Sequence, residues 1–297
     1  MSSSSSHHGI VVGVDGSPQS KAAVEWAALE AALRGSQLTL VHVMTDPSAA
    51  VWVDGPVPLP VDYWRGRREQ AQQVLDDANR IALEALPLGN IITVDQELAT
   101  GSPQSTLVDL SKDAETIVVG SRGLGGVQRV LLGSVSSGLV HHAHCPVAVI
   151  HAEDPQKDPS PQAPVVVGID GSPASERAVE IAFDEASRRG VDLIALHTWL
   201  ESTDDFIGLG WPKVRAQADE TLAERLAGWQ ERYPDVAVRR VVKMDNPARE
   251  LLELARSAQL LVVGSHGRGG IAGLVLGSVS SVVVQCARIP VIVARQS

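Results

Sequence analysis

The feature that most constrains this chain is that it contains the same passage twice. Residues 10–17 read IVVGVDGS and residues 165–172 read VVVGIDGS, an offset of 155. Each is an apolar run of strand length closed by Asp-Gly-Ser. A proline follows both times, Pro18 and Pro173, which makes Ser17 and Ser172 helix N-caps with proline at the first helical position. Behind the prolines the apolar residues keep one register: Val24, Ala27, Ala28 and Ala31 in the first copy, Val179, Ala182, Phe183 and Ala186 in the second. Spacing at i, i+3, i+4 and i+7 marks the buried face of a helix. Whatever this chain folds into, it folds into it twice.

A second duplicated block lies farther on. Residues 118–127 read VVGSRGLGGV and 262–271 read VVGSHGRGGI, now offset by 144. The change of offset points to a longer connection in the first copy, and the proline-rich stretch 46–62 reads as that irregular loop. Both copies continue into Gly-Ser-Val-Ser-Ser, at 133–137 and 277–281, and finish in a proline-led apolar run, 146–150 and 290–294. The expected organisation is a domain at 9–150, a linker at 151–164 rich in Pro, Gln and charge, and a second domain at 165–295. A length of 297 residues gives each copy enough chain for its own core.

In the first copy, strands are expected at 10–14, 38–44, 91–98, 116–119 and 147–150, with helices at 18–34, 63–86, 103–114 and 135–143. Strands alternating with helices imply right-handed βαβ crossovers and a parallel sheet covered on both faces. In such α/β sheets a ligand sits outside the carboxyl ends of the strands, where the strand order reverses. Both glycine-rich segments fall there.

Charge narrows the ligand. The chain has 25 Lys and Arg against 35 Asp and Glu, a net charge of -10, so no general positive field draws a nucleic-acid backbone. Two cysteines, Cys145 and Cys286, make no disulfide framework and fit a reducing compartment. The opening Ser and His run lacks the basic and apolar regions of a signal peptide, so a cytoplasmic location is expected. The uncharged stretch 269–287 has the length of a membrane span, but its glycines and serines argue against one.

The chemistry concentrates in one spacing. Gly120-x-x-Gly123, nine residues, then Gly133-Ser134 recurs as Gly264-x-x-Gly267, nine residues, then Gly277-Ser278. Such a loop exposes backbone N–H groups and lets phosphate oxygens approach without a Cβ in the way. A helix starting near Ser134 or Ser278 aims its own N–H groups and dipole at the same point. The spacing therefore reads as an anion site, tight strand-to-helix turns being the plain alternative for the glycines. No Gly-Lys dipeptide occurs, so there is no Walker A lysine, and the first strand leads into Asp-Gly-Ser instead of the dinucleotide fingerprint. Asp15 and Asp170 either meet the ligand or organise the turn. Arg122 and His266 share one slot, a permanent cation in one copy and a titratable ring in the other.

Other residues read as structural. His141, His142, His144 and Cys145 are of the types that bind zinc, but the second copy has Gln285, Cys286, Arg288 and Ile289 there, and histidine near a helix C-terminus suits the dipole. No metal centre is expected from them. His42 and His197 recur between apolar neighbours as satisfied core residues, and both cysteines read as small buried hydrophobes.

Taken together, the strand ending in Asp and the duplicated Gly-x-x-Gly, nine residues, Gly-Ser resemble the ATP-binding universal stress proteins over both copies. The tandem arrangement and the stretches 182–193 and 222–236 are especially similar to the two-domain mycobacterial members. The resemblance implies, in each domain, a five-stranded parallel sheet of order 3-2-1-4-5, of the adenine nucleotide alpha hydrolase-like type, with ATP across the strand ends. It implies that Asp15 and Asp170, beside Gly13 and Gly168, lie against adenosine, and that Val43, with Thr198 at the matching position, offers backbone groups to adenine. It implies that Gly120, Arg122, Gly123, Gly133, Ser134, Val135 and Ser136 hold ribose and phosphates, as do Gly264, His266, Gly267, Gly277, Ser278, Val279 and Ser280. Mg²⁺ is expected with the ATP, because few lysines are available to neutralise the phosphates. The role implied is a nucleotide-dependent regulator of stress response or growth, working as a binding switch. A slow ATP hydrolase and a nucleotide-free interaction scaffold are the alternatives. Pairing of the two copies into a pseudo-dimer, with a homodimer beyond it, completes the expectation.

Overall fold

The structure, a computed structural model, describes residues 8–45, 61–124, 132–151, 160–198, 211–267 and 276–295. The chain divides into two compact units, Met1–Ala152 and Glu153–Ser297. The first unit runs β1 (Ile10–Gly13), α1 (Pro18–Arg34), β2 (Leu38–Met44), α2 (Val61–Ala85), β3 (Val94–Thr100), α3 (Pro103–Leu110), β4 (Thr116–Gly120), α4 (Ser134–His142) and β5 (Val147–Ile150). Its strands are all parallel, in the order β3-β2-β1-β4-β5. The second unit repeats this with β6 (Val165–Gly168), α5 (Pro173–Arg189), β7 (Leu193–Thr198), α6 (Trp211–Arg232), β8 (Val238–Lys243), α7 (Pro247–Ala255), β9 (Leu260–Gly264), α8 (Ser278–Cys286) and β10 (Val291–Ala294). Its parallel order is β8-β7-β6-β9-β10, which is again 3-2-1-4-5.

In each unit the order reverses at the first strand. Gly13 pairs with Val41 on one side, while Val12 pairs with Val118 on the other. Right-handed crossovers then put α1 and α2 on one face and α3 and α4 on the other, and these helices pack in those pairs. The crevice at the reversal opens between β1 and β4, as it does between β6 and β9.

Local chemistry fixes the first helices. The Ser17 hydroxyl oxygen accepts from the Ser20 N–H at 3.2 Å, and Ser172 accepts from Ser175 at 3.2 Å. Gly35 and Gly190 close the same helices at φ 64° and 63°, the left-handed conformation that glycine adopts without strain. Val24, Ala27, Ala28 and Ala31 are buried, as are Val179, Ala182, Phe183 and Ala186. One charged residue per helix is buried among them: Glu30 is paired to Arg34, and Glu185 to Arg189 at 3.0 Å.

Two boundaries of the first copy differ from expectation by more than two residues. β3 starts at Val94 instead of 91, because β2 begins at Leu38 directly opposite; Ile91, with no strand to pair, is 95% exposed. α3 ends at Leu110 instead of continuing to 114, since the Ser111 hydroxyl donates to the Val108 carbonyl at 2.6 Å and the chain leaves the helix. The loop expected at 46–62 lies outside the described residues except for 61–62, which open α2. Most of the expected linker also lies outside them. Among the described residues no helix is long and apolar enough to cross a membrane.

Candidate functional site

Asp15 joins the two loops that meet above the sheet. Its Oδ1 accepts from the Ser17 N–H at 2.9 Å, which shapes the turn into α1, and its Oδ2 accepts from the Leu124 N–H at 2.9 Å, which holds the loop after β4. Asp170 Oδ1 accepts from both the N–H and the hydroxyl of Ser172, at 2.9 and 2.7 Å. Both aspartates are half-buried. The turn-organising role is thus present in each copy, and it places a carboxylate at the mouth of the crevice.

The glycines have reasons internal to the fold as well. A Cβ on Gly120 would stand 2.7 Å from the Gln19 carbonyl carbon, and one on Gly264 would stand 2.9 Å from that of Ala174. At both positions the strand end lies against the first turn of the opening helix, where no side chain fits. A Cβ on Gly123 would run into Asp15 Oδ2, and one on Gly267 would stand 2.6 Å from Asp170 Oδ2. Gly13 leaves room for Leu107, and Gly168 for Leu251. Gly133 and Gly277 are looser, with nearest neighbours at 3.4 and 3.5 Å.

The glycine loops are closed at their bases. Gly133 N–H donates to the Ser121 carbonyl and Gly277 N–H to that of Ser265, each at 2.8 Å. The same glycines cap α4 and α8 with no side-chain hydrogen bond, so the first-turn N–H groups, including those of Ser134, Val135, Ser278 and Val279, face the crevice without an intrahelical acceptor. Ser136 and Ser280 sit in that turn, but their hydroxyls donate to the Gly120 and Gly264 carbonyls at 2.6 and 2.5 Å. Those hydroxyls brace the helix against the strand, leaving the backbone N–H as the group each residue can offer an anion.

In the second unit these parts enclose a cavity of about 620 Å³, within the roughly 300–1,000 Å³ of small-molecule sites. Every residue singled out in the second copy lines it: Gly168, Asp170, Thr198, Gly264, His266, Gly267, Gly277, Ser278, Val279 and Ser280. Its lining combines apolar side chains, Ile169, Leu196, Val263 and Leu276, with the first turn of α8 and serine hydroxyls. Such a lining can take a ligand that has both an apolar group and an anion. In the first unit, Val43 lies half-buried near the end of β2, and Arg122 lies half-buried beside Gly133.

Three further residues went unnoticed in the sequence. Ser20 and Ser175 are buried, and their hydroxyls accept from the Asp15 and Gly171 N–H groups at 3.2 and 3.0 Å. Their signal was the repeated Ser-Pro-x-Ser at one offset. Leu251 lines the cavity from α7 and repeats as Leu107.

Outside the crevice, His42 and His197 each place Nδ1 2.7 Å from a strand-end carbonyl, of Val14 and Ile169. His141 Nδ1 bonds the Ser137 carbonyl at 2.6 Å, and among the described residues no three His, Cys, Asp or Glu come together as a metal centre. Cys145 is buried, and desolvation pushes its thiol up to about 12. Cys286 corrects the expectation of two buried thiols: it is exposed, because α8 ends there on the outer side of its unit.

Comparison with known proteins agrees with this architecture. The model of the universal stress protein family matches residues 7–151 and again 163–295. Universal stress protein Rv2623 of Mycobacterium tuberculosis is 52% identical over 298 residues, covering 100% of this chain and 99% of that one. Universal stress protein Rv2005c of the same organism is 52% identical over 299 residues, covering 100% of both. Among solved structures, a universal stress protein from Archaeoglobus fulgidus superposes with a TM-score of 0.72 at 22% identity, covering 98% of this chain and 100% of that one. With the family pattern present twice and two-domain relatives aligned end to end, the chain belongs to the universal stress protein family.

Proposed function

We propose that each half of this chain binds one ATP with Mg²⁺, and that the protein is a cytoplasmic, nucleotide-dependent regulator that works by occupancy and not by turnover. The observation that carries the reading is the second-unit cavity, which the whole duplicated glycine and serine set lines together with the first turn of α8 and the apolar Ile169, Leu196, Leu251 and Val263. The donor set suits the ligand. Backbone N–H groups at Ser278 and Val279 suit phosphates, the surface at Leu196 and Thr198 suits a base, and Asp170 supplies a carboxylate for ribose hydroxyls or a divalent cation. The names of the relatives support a role in the stress response.

Against turnover stands what the two copies share: backbone donors, small hydroxyls and one aspartate already engaged by backbone N–H groups, with no His and carboxylate pair common to both, since the first copy has Arg122 where the second has His266. Calorimetric titration of nucleotide-stripped chain with MgATP is expected to give two sites per chain, together with a rise in melting temperature from mass action. Neither binding nor stabilisation would favour the scaffold reading. Phosphate release approaching the roughly 1 to 100 per second of kinases, and lost when both loops are altered, would make this an ATPase. We read the protein further as a homodimer, which light scattering checks; a mass of one chain would overturn it.

A further inference from the structure

The second unit carries a groove of about 1050 Å³ between α7 and α8. Ser278 and Val279, in the first turn of α8, line both this groove and the cavity described above. Three exposed arginines border it against one carboxylate, Glu253: Arg249 near the start of α7, and Arg256 and Arg288 just past the ends of the two helices. In a chain of net charge -10 this is a local excess of positive charge. Among the described residues Arg249 and Arg256 make surface ion pairs, to Asp245 at 3.5 Å and to Glu253 at 3.2 Å, and each is 76% exposed. Pairs of that kind are weak and exchange readily for a better anion. The groove also has apolar surface, including Val282, 43% exposed, and Leu252.

The first copy is built differently at the same place. There the Gln104 side chain lies across the helix pair over Gly138, so closely that a Cβ on Gly138 would run into its amide. The second copy has Ala248 and Val282 at these two positions. The second copy thus has a methyl on the third helix in place of the long Gln104 side chain, and a valine on the fourth in place of the glycine beneath it. The cations differ as well. In the loop the first copy has Arg122 and Leu124 where the second has His266 and Arg268, and in the third helix it has Ser105 where the second has Arg249.

We propose that the second site takes a dinucleoside polyphosphate: one nucleoside in the cavity, the phosphates across the first turn of α8 and past Arg249, and the second nucleoside in the α7–α8 groove. This rests on the nucleotide reading above and extends it. The phosphate bridge meets helix N–H groups and a guanidinium, and the second base lies on apolar surface where Arg256 and Arg288 offer planar cations that stack on aromatic faces. The first site, crossed by Gln104, takes a mononucleotide.

The test is calorimetric titration of the full chain with diadenosine tetraphosphate and with ATP, in the wild type, Ala248→Gln and Arg288→Glu. The wild type is expected to hold one diadenosine tetraphosphate about tenfold more tightly than ATP, and both variants to lose that preference while ATP affinity changes by less than about twofold. Equal affinities in the wild type, with ATP still bound, overturn the proposal and leave the nucleotide reading standing. No binding of either compound overturns both. Should Ala248→Gln fail to fold by circular dichroism, Arg288→Glu, an exposed change, decides alone: an undiminished preference there overturns the proposal.

Discussion

Gly123 and Gly267 show how a single missing Cβ serves two purposes, since the space each leaves is already claimed by an aspartate carboxylate. Glutamate there adds bulk against Asp15 or Asp170 and a negative charge facing the helix N-terminus. Gly123→Glu and Gly267→Glu are each expected to lower the MgATP stoichiometry from two to one per chain, with the far-ultraviolet circular dichroism unchanged. Two sites retained in either variant would reject the loop assignment for that copy. The cysteines give a second test. Cys145 is held protonated by burial, with a thiol near 12, whereas an unfolded thiol ionises near 8.5. Between those values the folded state binds the extra proton, so stability falls as pH rises, by about 1.4 kcal/mol per pH unit once the unfolded thiol is ionised. Cys145→Ala should flatten that slope in denaturation curves taken from pH 8 to 11. Asp15 and Ser17 were legible because their spacing recurs at one offset. The internal use of the Ser136 hydroxyl was not, because its acceptor is a carbonyl sixteen residues away that only the folded strand brings near.

Helix boundaries at the elements' start could be read from the chain, since a cap is local chemistry. Ser17-Pro18 and Ser172-Pro173 begin α1 and α5 where the sequence indicated. The start of β3 could not, since a strand extends only as far as its neighbour: β2 and β5 fall at 38–44 and 147–150 as expected, but β3 is shifted by β2, and nothing in Ile91 or Ile92 announces it. Two substitutions measure what holds the second unit's opening helix. Ser172→Ala removes a hydrogen-bonded cap and is expected to cost about 1 kcal/mol of stability. Glu185→Ala leaves the Arg189 guanidinium, 13% exposed, without its main acceptor and is expected to cost about 3 kcal/mol. Urea denaturation ranks them, and a larger loss for Ser172→Ala would show that the buried ion pair contributes little.

Across the whole chain the two halves agree in what builds the sheet and disagree in what borders the crevice. The Ser-Pro caps and closing glycines of α1 and α5 recur, and their buried apolar stripes keep the same register with Ala28 exchanged for Phe183, while Arg122, Gln104 and Gly138 become His266, Ala248 and Val282. That division follows from how each glycine loop is closed. The bond from Gly133 to Ser121, and from Gly277 to Ser265, brings the two ends of the loop together at its base, so backbone alone holds each strand end to the start of the following helix there. Loop length and content then carry little weight for folding, doubling a loop costing only about 0.6 kcal/mol. A half that changes its loop keeps its architecture and alters only its chemistry. Duplication of such a unit releases one copy from the requirement to keep its original ligand, so descendants of one ancestral domain are free to drift toward different small molecules without passing through an unfolded intermediate.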